Sequence, residues 1–338
     1  MHMQPACRAY SVMARTPLRI LFCGSDAFSI ASLRALSEAK KNIPGLIGSI
    51  DVVHRPAKRT GRGLKVLKEA PIYHTATQLN LPTHPIDTFT GWIPPTPISL
   101  VIAVSFGLLV PPRILNLAHH GGLNVHPSLL PDLRGPAPIE HAIWKGRECT
   151  GVSIQTLHPR HFDQGSVLAQ TPKPGVPISR TTTSKELQDE LAEQGAEMLV
   201  DVLRDGRYLE PKECERWYEG PMDHAPKVTK EDRQILFEKI TVDDVMRMQN
   251  ALGDPWCVLP NGDRVILHHV VDSGMLDTQE SRPPGLYVQP GMSEPVFKGA
   301  DGRVGVVMSS TYAGKKAGKG NSMLLAVLPL RKDLDNGD

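Results

Sequence analysis

The 338-residue sequence lacks paired cysteines, long unbroken apolar runs, a glycine-rich nucleotide turn and any strong charge imbalance. Each absence removes a class of protein. Its five cysteines, Cys7, Cys23, Cys149, Cys214 and Cys257, are odd in number and nowhere at Cys-x-x-Cys spacing. That argues against a disulfide framework and a zinc site, and favours a reducing compartment. The adjacent pairs His119-His120 and His268-His269 would face opposite ways on a strand, so both are read as structural or surface residues and no metal is expected. The longest nearly apolar run, Ile98 to Val110, is broken by Ser105 and Gly107 and falls short of the roughly 18 residues of a spanning helix. No membrane span is expected. Gly24 is followed by Ser25, Asp26, Ala27, Phe28 and Ser29, so the second and third glycines of Gly-x-Gly-x-x-Gly are missing and no NAD is expected. A net charge of +2 is too mild for general nucleic-acid binding; any RNA contact must come from local basic patches.

Two basic segments carry no acidic residue. Residues 1 to 25 carry Arg8, Arg15, Arg19 and several hydroxyls but no Asp or Glu, a pattern similar to a mitochondrial presequence. Residues 1–16 are therefore expected to be a presequence or a disordered start, and the mitochondrial matrix the location. A bacterial-type cytoplasmic protein with an upstream extension is the alternative. Between His54 and Lys68 lie Arg55, Lys58, Arg59, Arg62, Lys65 and Lys68, with Gly61 and Gly63 expected to keep the loop mobile. Flexible basic segments suit phosphate contacts that order on binding, although a merely solvated loop has the same composition.

What is present reads as two kinds of architecture. Leu18 to Gly24 is an apolar run feeding a helix capped at Ser25-Asp26, and similar runs recur at Ile98–Phe106, Leu123–His126 and Val152–Leu157, with a helix starting near Pro138. This predicts an α/β fold with a Rossmann-like, mostly parallel sheet and helices on both faces. Thr183-Ser184-Lys185-Glu186 fits a capping box, after which Leu187, Leu191, Met198, Leu199 and Leu203 share one face until Asp205-Gly206. Residues 211–230 are rich in charge and proline without periodicity and read as a linker. After a helix near Val242–Ala251 the pattern turns to period two. Asn261-Gly262 and Asp301-Gly302 mark hairpins, and with Gly285–Gln289 and Met323–Leu328 about six short strands are expected, enough for a small β-barrel of the oligonucleotide-binding (OB) type. The expected division is a catalytic domain over 17–210, the linker, and a C-terminal domain over 231–338.

The stretch from Gly121 to Gly165 is the richest in chemistry. On a strand, Asn124 and His126 point the same way while Leu123 and Val125 point into packing. An amide donor beside an imidazole, with the carboxylate of Asp163 arriving later, supplies what acyl transfer needs: a donor to the oxyanion, a proton carrier and a group that orients the carrier. Polar residues also gather at strand ends simply because loops are polar, so spacing alone leaves both readings open.

The run Asn-Val-His-Pro-Ser-Leu-Leu-Pro at 124–131, followed by Arg134-Gly135-Pro136-Ala137-Pro138-Ile139 and Phe162-Asp163-Gln164-Gly165, resembles the signature of folate-dependent formyltransferases. Within that superfamily the chain most resembles the methionyl-tRNA formyltransferase family, through Leu18–Ser25, Arg55-Pro56-Ala57, Gly61-Arg62-Gly63, Ala225–Asp232, Pro255-Trp256 and Ala313-Gly314-Lys315-Lys316. The turn from Leu157 to Asp163 is one residue longer than the family's. The resemblance implies formyl transfer from 10-formyltetrahydrofolate, as co-substrate, to initiator methionyl-tRNA by a monomer. It further implies catalytic roles for Asn124, His126 and Asp163, and a folate pocket of apolar walls and backbone donors at Val104, Phe106, Gly107, Leu108, Ser128, Leu129, Leu130 and Pro131. Contacts to tRNA are expected from Arg55, Lys58, Arg59, Arg62 and Lys65, and from Lys315 and Lys316. His158 and His161 are read as loop surface. Three competing readings remain: a hydrolase or a formyltransferase with a sugar-nucleotide or ribonucleotide acceptor, a non-catalytic RNA-binding protein on an enzyme scaffold, and an NAD oxidoreductase. The first leaves the basic loop and barrel unexplained, the second the retained triad, and the third fails on the missing glycines.

Overall fold

A computed structural model describes residues 16–277 and 282–328, with the side chain of Arg62 outside the description. Apart from Thr16, the expected presequence lies outside the described residues. Two compact units are formed, one from the chain up to Pro131 with Gly151–Lys173 and Asp189–Glu219, the other from Asp132–Thr150, Pro174–Gln188 and Gly220 onward.

The first unit opens with β1 (Leu18–Gly24), buried on both faces except at Arg19 as a central strand of a covered sheet must be. Helix α1 (Ala27–Asn42) follows, its N-cap Asp26 accepting from the Ser29 amide and Lys40 and Lys41 meeting the negative end of its dipole. Next come β2 (Ile47–His54), β3 (Lys58–Thr60), β4 (Val66–Lys68), α2 (Pro71–Gln78), β5 (Thr83–Pro85), β6 (Leu100–Val104), α3 (Pro112–Leu115) and β7 (Gly122–His126). The helix α4 (Pro138–Trp144) and strand β8 (Cys149–Thr150) belong to the second unit, after which β9 (Ser153–Thr156) and β10 (Val167–Gln170) return to the first.

The sheet of this unit runs β10-β9-β7-β6-β1-β2-β5. Strands β5, β2, β1, β6 and β7 are parallel, and β9 and β10 are antiparallel additions at one edge. From β1 the chain builds outward to β2 and β5, then crosses back to lay β6 on the other side of β1. That reversal opens a crevice at the carboxyl ends of β1 and β6, where open α/β sheets bind their ligands.

The segment expected to be a mobile basic loop is instead a short antiparallel hairpin, Lys58 pairing with Lys68 and Thr60 with Val66 around a 3-10 turn at Arg62–Leu64. Gly61 and Gly63, with φ of 78° and 74°, supply the left-handed conformations that turn requires rather than general looseness.

Strand β11 (Val176–Pro177) pairs with β8, and α5 (Ser184–Asp205) begins with the expected reciprocal box, in which the Thr183 amide donates to Glu186 and the Glu186 amide donates to Thr183. Leu187, Leu191, Leu199 and Leu203 are buried. In the second unit, α6 (Val242–Leu252) starts from a capping box of Thr241 with Asp244. Five antiparallel strands then form one curled sheet in the order β12-β13-β16-β15-β14: β12 (Trp256–Val258), β13 (Arg264–Leu276), β14 (Gly285–Tyr287), β15 (Val296–Lys298) and β16 (Arg303–Tyr312). Register shifts along β13 and β16 let these long strands bend. The sixth expected strand, Met323–Leu328, is a helix, α7 (Asn321–Val327). Its run of Met, Leu, Leu and Ala favours helix, and Leu324, fully buried, anchors it with a single face.

The interval 211–230 is irregular but not loose. Within the first unit the Cys214 amide donates to Val167 and the Trp217 indole to Thr171. Within the second, the Leu133 amide donates to the Asp223 carbonyl and the Ala225 amide to that of Arg134, and Arg147 joins the carboxylates of Asp132 and Asp223. Gly135 is required there, since a Cβ would stand 2.4 Å from the Ala225 carbonyl oxygen.

Candidate active site

The polar cluster of the first unit grows from β7. Its register with β9 sets Asn124 opposite Gln155 and His126 opposite Ser153. Leu123 and Val125 are buried among apolar neighbours, so the alternation of the strand brings Asn124 and His126 to one face. The Asn124 amide is held at both ends: Nδ2 donates to the Ala103 carbonyl on β6 at 2.9 Å, and Oδ1 accepts from Gln155 Nε2 at 3.0 Å. A carbonyl can only accept, so this pair of bonds fixes which end of the Asn124 amide is nitrogen.

The same Gln155 Nε2 donates to Asp163 Oδ1 at 3.1 Å, and Gln155 Oε1 accepts from the Gly165 amide at 3.1 Å. Asp163 Oδ1 in turn lies 3.3 Å from His126 Nδ1, both side chains being nearly buried. A carboxylate facing Nδ1 selects the tautomer with the proton on that nitrogen and turns Nε2 to the opposite side of the ring. The three sequence-selected residues thus meet, and Gln155, 1% exposed, is the part that ties them together. It was missed because an amide in a strand carries no motif; its pairing opposite Asn124 was the only signal.

The loop to Asp163 is built for this approach. Asp163 has a φ of 54°, and a Cβ on Gly165 would stand 1.7 Å from the Thr156 carbonyl oxygen, so only glycine lets the loop close on β9. His158 Nδ1 accepts from the Arg160 and His161 amides, which makes it a loop brace, and His161 is exposed beside it.

Residues 128–131 are bolted beneath the cluster. Ser153 Oγ donates to Ser128 and accepts from the Leu130 amide, while Gln170 donates to the Leu130 carbonyl. Ser128, Leu129 and Leu130 are buried, Val104 and Phe106 likewise, and Pro131 is half-buried. Gly107 and Leu108 lie toward the surface, and Leu108 lines a groove together with Phe89, Thr90, Leu109, Pro111 and Arg113. Lys58, Arg59 and Lys65 are exposed on the hairpin, whereas Arg55 at its root bonds to Asp87. Lys315 and Lys316 are exposed in the second unit after β16.

Residues 18–203 match the formyl transferase family model. The mitochondrial methionyl-tRNA formyltransferase of Saccharomyces cerevisiae is 35% identical over 275 residues, 70% of this chain and 68% of that protein. Its human counterpart is 34% identical over 253 residues, 73% of this chain, and the chain matches only 60% of the human protein's length. Among solved structures, a sugar 3N-formyltransferase, WlaRD, crystallised with dTDP and 5-N-formyl-THF, superposes with a TM-score of 0.57 at 14% identity, covering 88% of this chain and 99% of that one. HypX from Aquifex aeolicus with tetrahydrofolic acid gives 0.55 at 17% identity, covering 96% of this chain and 50% of its own. At such identities these two establish the fold.

Proposed function

The chain belongs to the formyl transferase family, and we propose that it transfers the formyl group of 10-formyltetrahydrofolate to the α-amino group of initiator methionyl-tRNA. The observation that carries this is the closed chain from Asn124 through Gln155 and Asp163 to His126 at the carboxyl end of a parallel strand. Relatives named as mitochondrial methionyl-tRNA formyltransferases, aligned over most of the chain, support the acceptor and the mitochondrial location.

In this reading the amine attacks the formyl carbon, a carbon–nitrogen bond forms and the carbonyl oxygen takes negative charge. Asn124 Nδ2, already aimed by two hydrogen bonds, stabilises that oxygen at no cost in reorganisation. His126 relays the proton lost by the attacking nitrogen, and Asp163 holds the imidazole in place. The bond from the formyl carbon to N10 of the folate then breaks, and N10 takes up a proton. Folate lies in the crevice between β1 and β6, with Val104–Leu108 and Ser128–Pro131 around it. Phosphates of the tRNA meet the basic hairpin and the lysines after β16, in a protein that acts as a monomer with residues 231–338 as its RNA-binding part.

Purified protein given labelled 10-formyltetrahydrofolate should formylate charged initiator tRNA, and neither uncharged tRNA nor water. Release of formate without formylated tRNA would make it a hydrolase instead.

A further inference from the structure

The groove beside the crevice carries one charge. Phe89, Leu108, Leu109 and Pro111 give it apolar walls, Thr90 a hydroxyl and Arg113, exposed on α3, a guanidinium. From Thr88 to Pro131 there is no Asp, Glu or Lys, and Arg113 is the sole arginine. Among the described residues it forms no ion pair; one of its terminal nitrogens donates 2.7 Å to the Trp92 carbonyl, which leaves the remaining donors of a planar fork over the groove. Phe89 packs edge-on against Phe106, the residue two positions past β6, so the groove continues from the strand end that receives the Asn124 bond.

A groove that has Phe89, Leu108, Leu109 and Pro111 in its lining beside a guanidinium suits a ligand with an aromatic body and a carboxylate tail. A folate is such a ligand: its benzoyl ring is flat and apolar, and its glutamate bears carboxylates at the end remote from the reacting nitrogen. Resting on the reading of this chain as folate-dependent, the geometry points to Arg113 as the residue that binds the glutamyl carboxylates of the donor and selects glutamylated, above all polyglutamylated, folates. Arginine forms bidentate, charge-assisted bonds with carboxylates, and without an ion pair among the described residues its remaining donors are left for the ligand.

The test is equilibrium binding of 5-formyltetrahydrofolate as monoglutamate and triglutamate, and of 5-formyltetrahydropteroate, which has no glutamate, to wild type, Arg113→Gln and Arg113→Lys. Arg113→Gln should weaken both glutamylated ligands by about tenfold, the scale of one charge-assisted bond, and should leave the pteroate unchanged. Arg113→Lys keeps the charge and loses the fork, and should fall between wild type and Arg113→Gln. Added salt should weaken glutamylated binding to wild type and scarcely affect Arg113→Gln. Equal loss for pteroate and glutamylated ligand would show that Arg113 only braces the Trp92 loop, and no loss for either would remove it from the site; both overturn the proposal and leave folate binding standing. Wild-type protein that bound none of the three would overturn the folate reading itself.

Discussion

Gln155 shows what a single side chain contributes when it is buried with every polar atom engaged. Its Nε2 serves Asn124 and Asp163 together, and its Oε1 receives the Gly165 amide. Removing it would free the Asn124 amide to rotate and the Asp163 loop to drift, without taking away a group that touches substrate. Misplacement of a reacting geometry by about 1 Å costs on the order of a hundredfold in rate. Gln155→Leu should therefore lower kcat by about tenfold to a hundredfold with little change in the folate dissociation constant. A normal kcat, or a loss confined to KM, would show that the amide only fills space. Asn124, His126 and Asp163 were picked out because the runs that hold them resemble a family signature, while their spacing alone left a polar strand end equally open. Gln155 was not, because its role exists only once β9 lies antiparallel to β7.

At the scale of elements, the parallel core was legible wherever apolar runs ended in glycine or a cap, as at Leu18–Gly24 and Asp26. Short elements were harder. Lys58–Lys68 looked like a mobile loop because charge hid the pairing of Thr60 with Val66, and Met323–Leu328 looked like a strand because six apolar residues carry no period. The strap at 223–225 was read as an unstructured linker, since its hydrogen bonds come from residues far away in sequence. Its anchor is electrostatic: the Arg147 guanidinium, and then Lys145, hold the Asp223 carboxyl below the usual carboxylate range. A carboxyl depressed in the folded state stabilises the fold above its unfolded pKa, about 3.9, and that contribution is lost as pH falls through the lower folded value. Below about pH 4 the melting temperature of wild type should therefore fall more steeply than that of Asp223→Asn, which has no such charge to lose. Parallel curves would mean that the partly exposed pair is screened by solvent.

For the whole molecule, the family match covers residues 18–203, and the curled five-stranded sheet lies beyond it. Among the described residues no helix is long and apolar enough to cross a membrane. Chemistry gathers in the first unit, while exposed basic side chains occur in both, at the hairpin and after β16. We propose that the cluster on β7, β9 and the Asp163 loop performs the transfer. Its most direct test is single-turnover formylation of saturating methionyl initiator tRNA by wild type and His126→Ala, each preloaded with 10-formyltetrahydrofolate. The rate should be at least about a hundredfold lower in the variant, with both substrates still bound; a variant that binds both and transfers at the wild-type rate would show that His126 takes no part in the transfer.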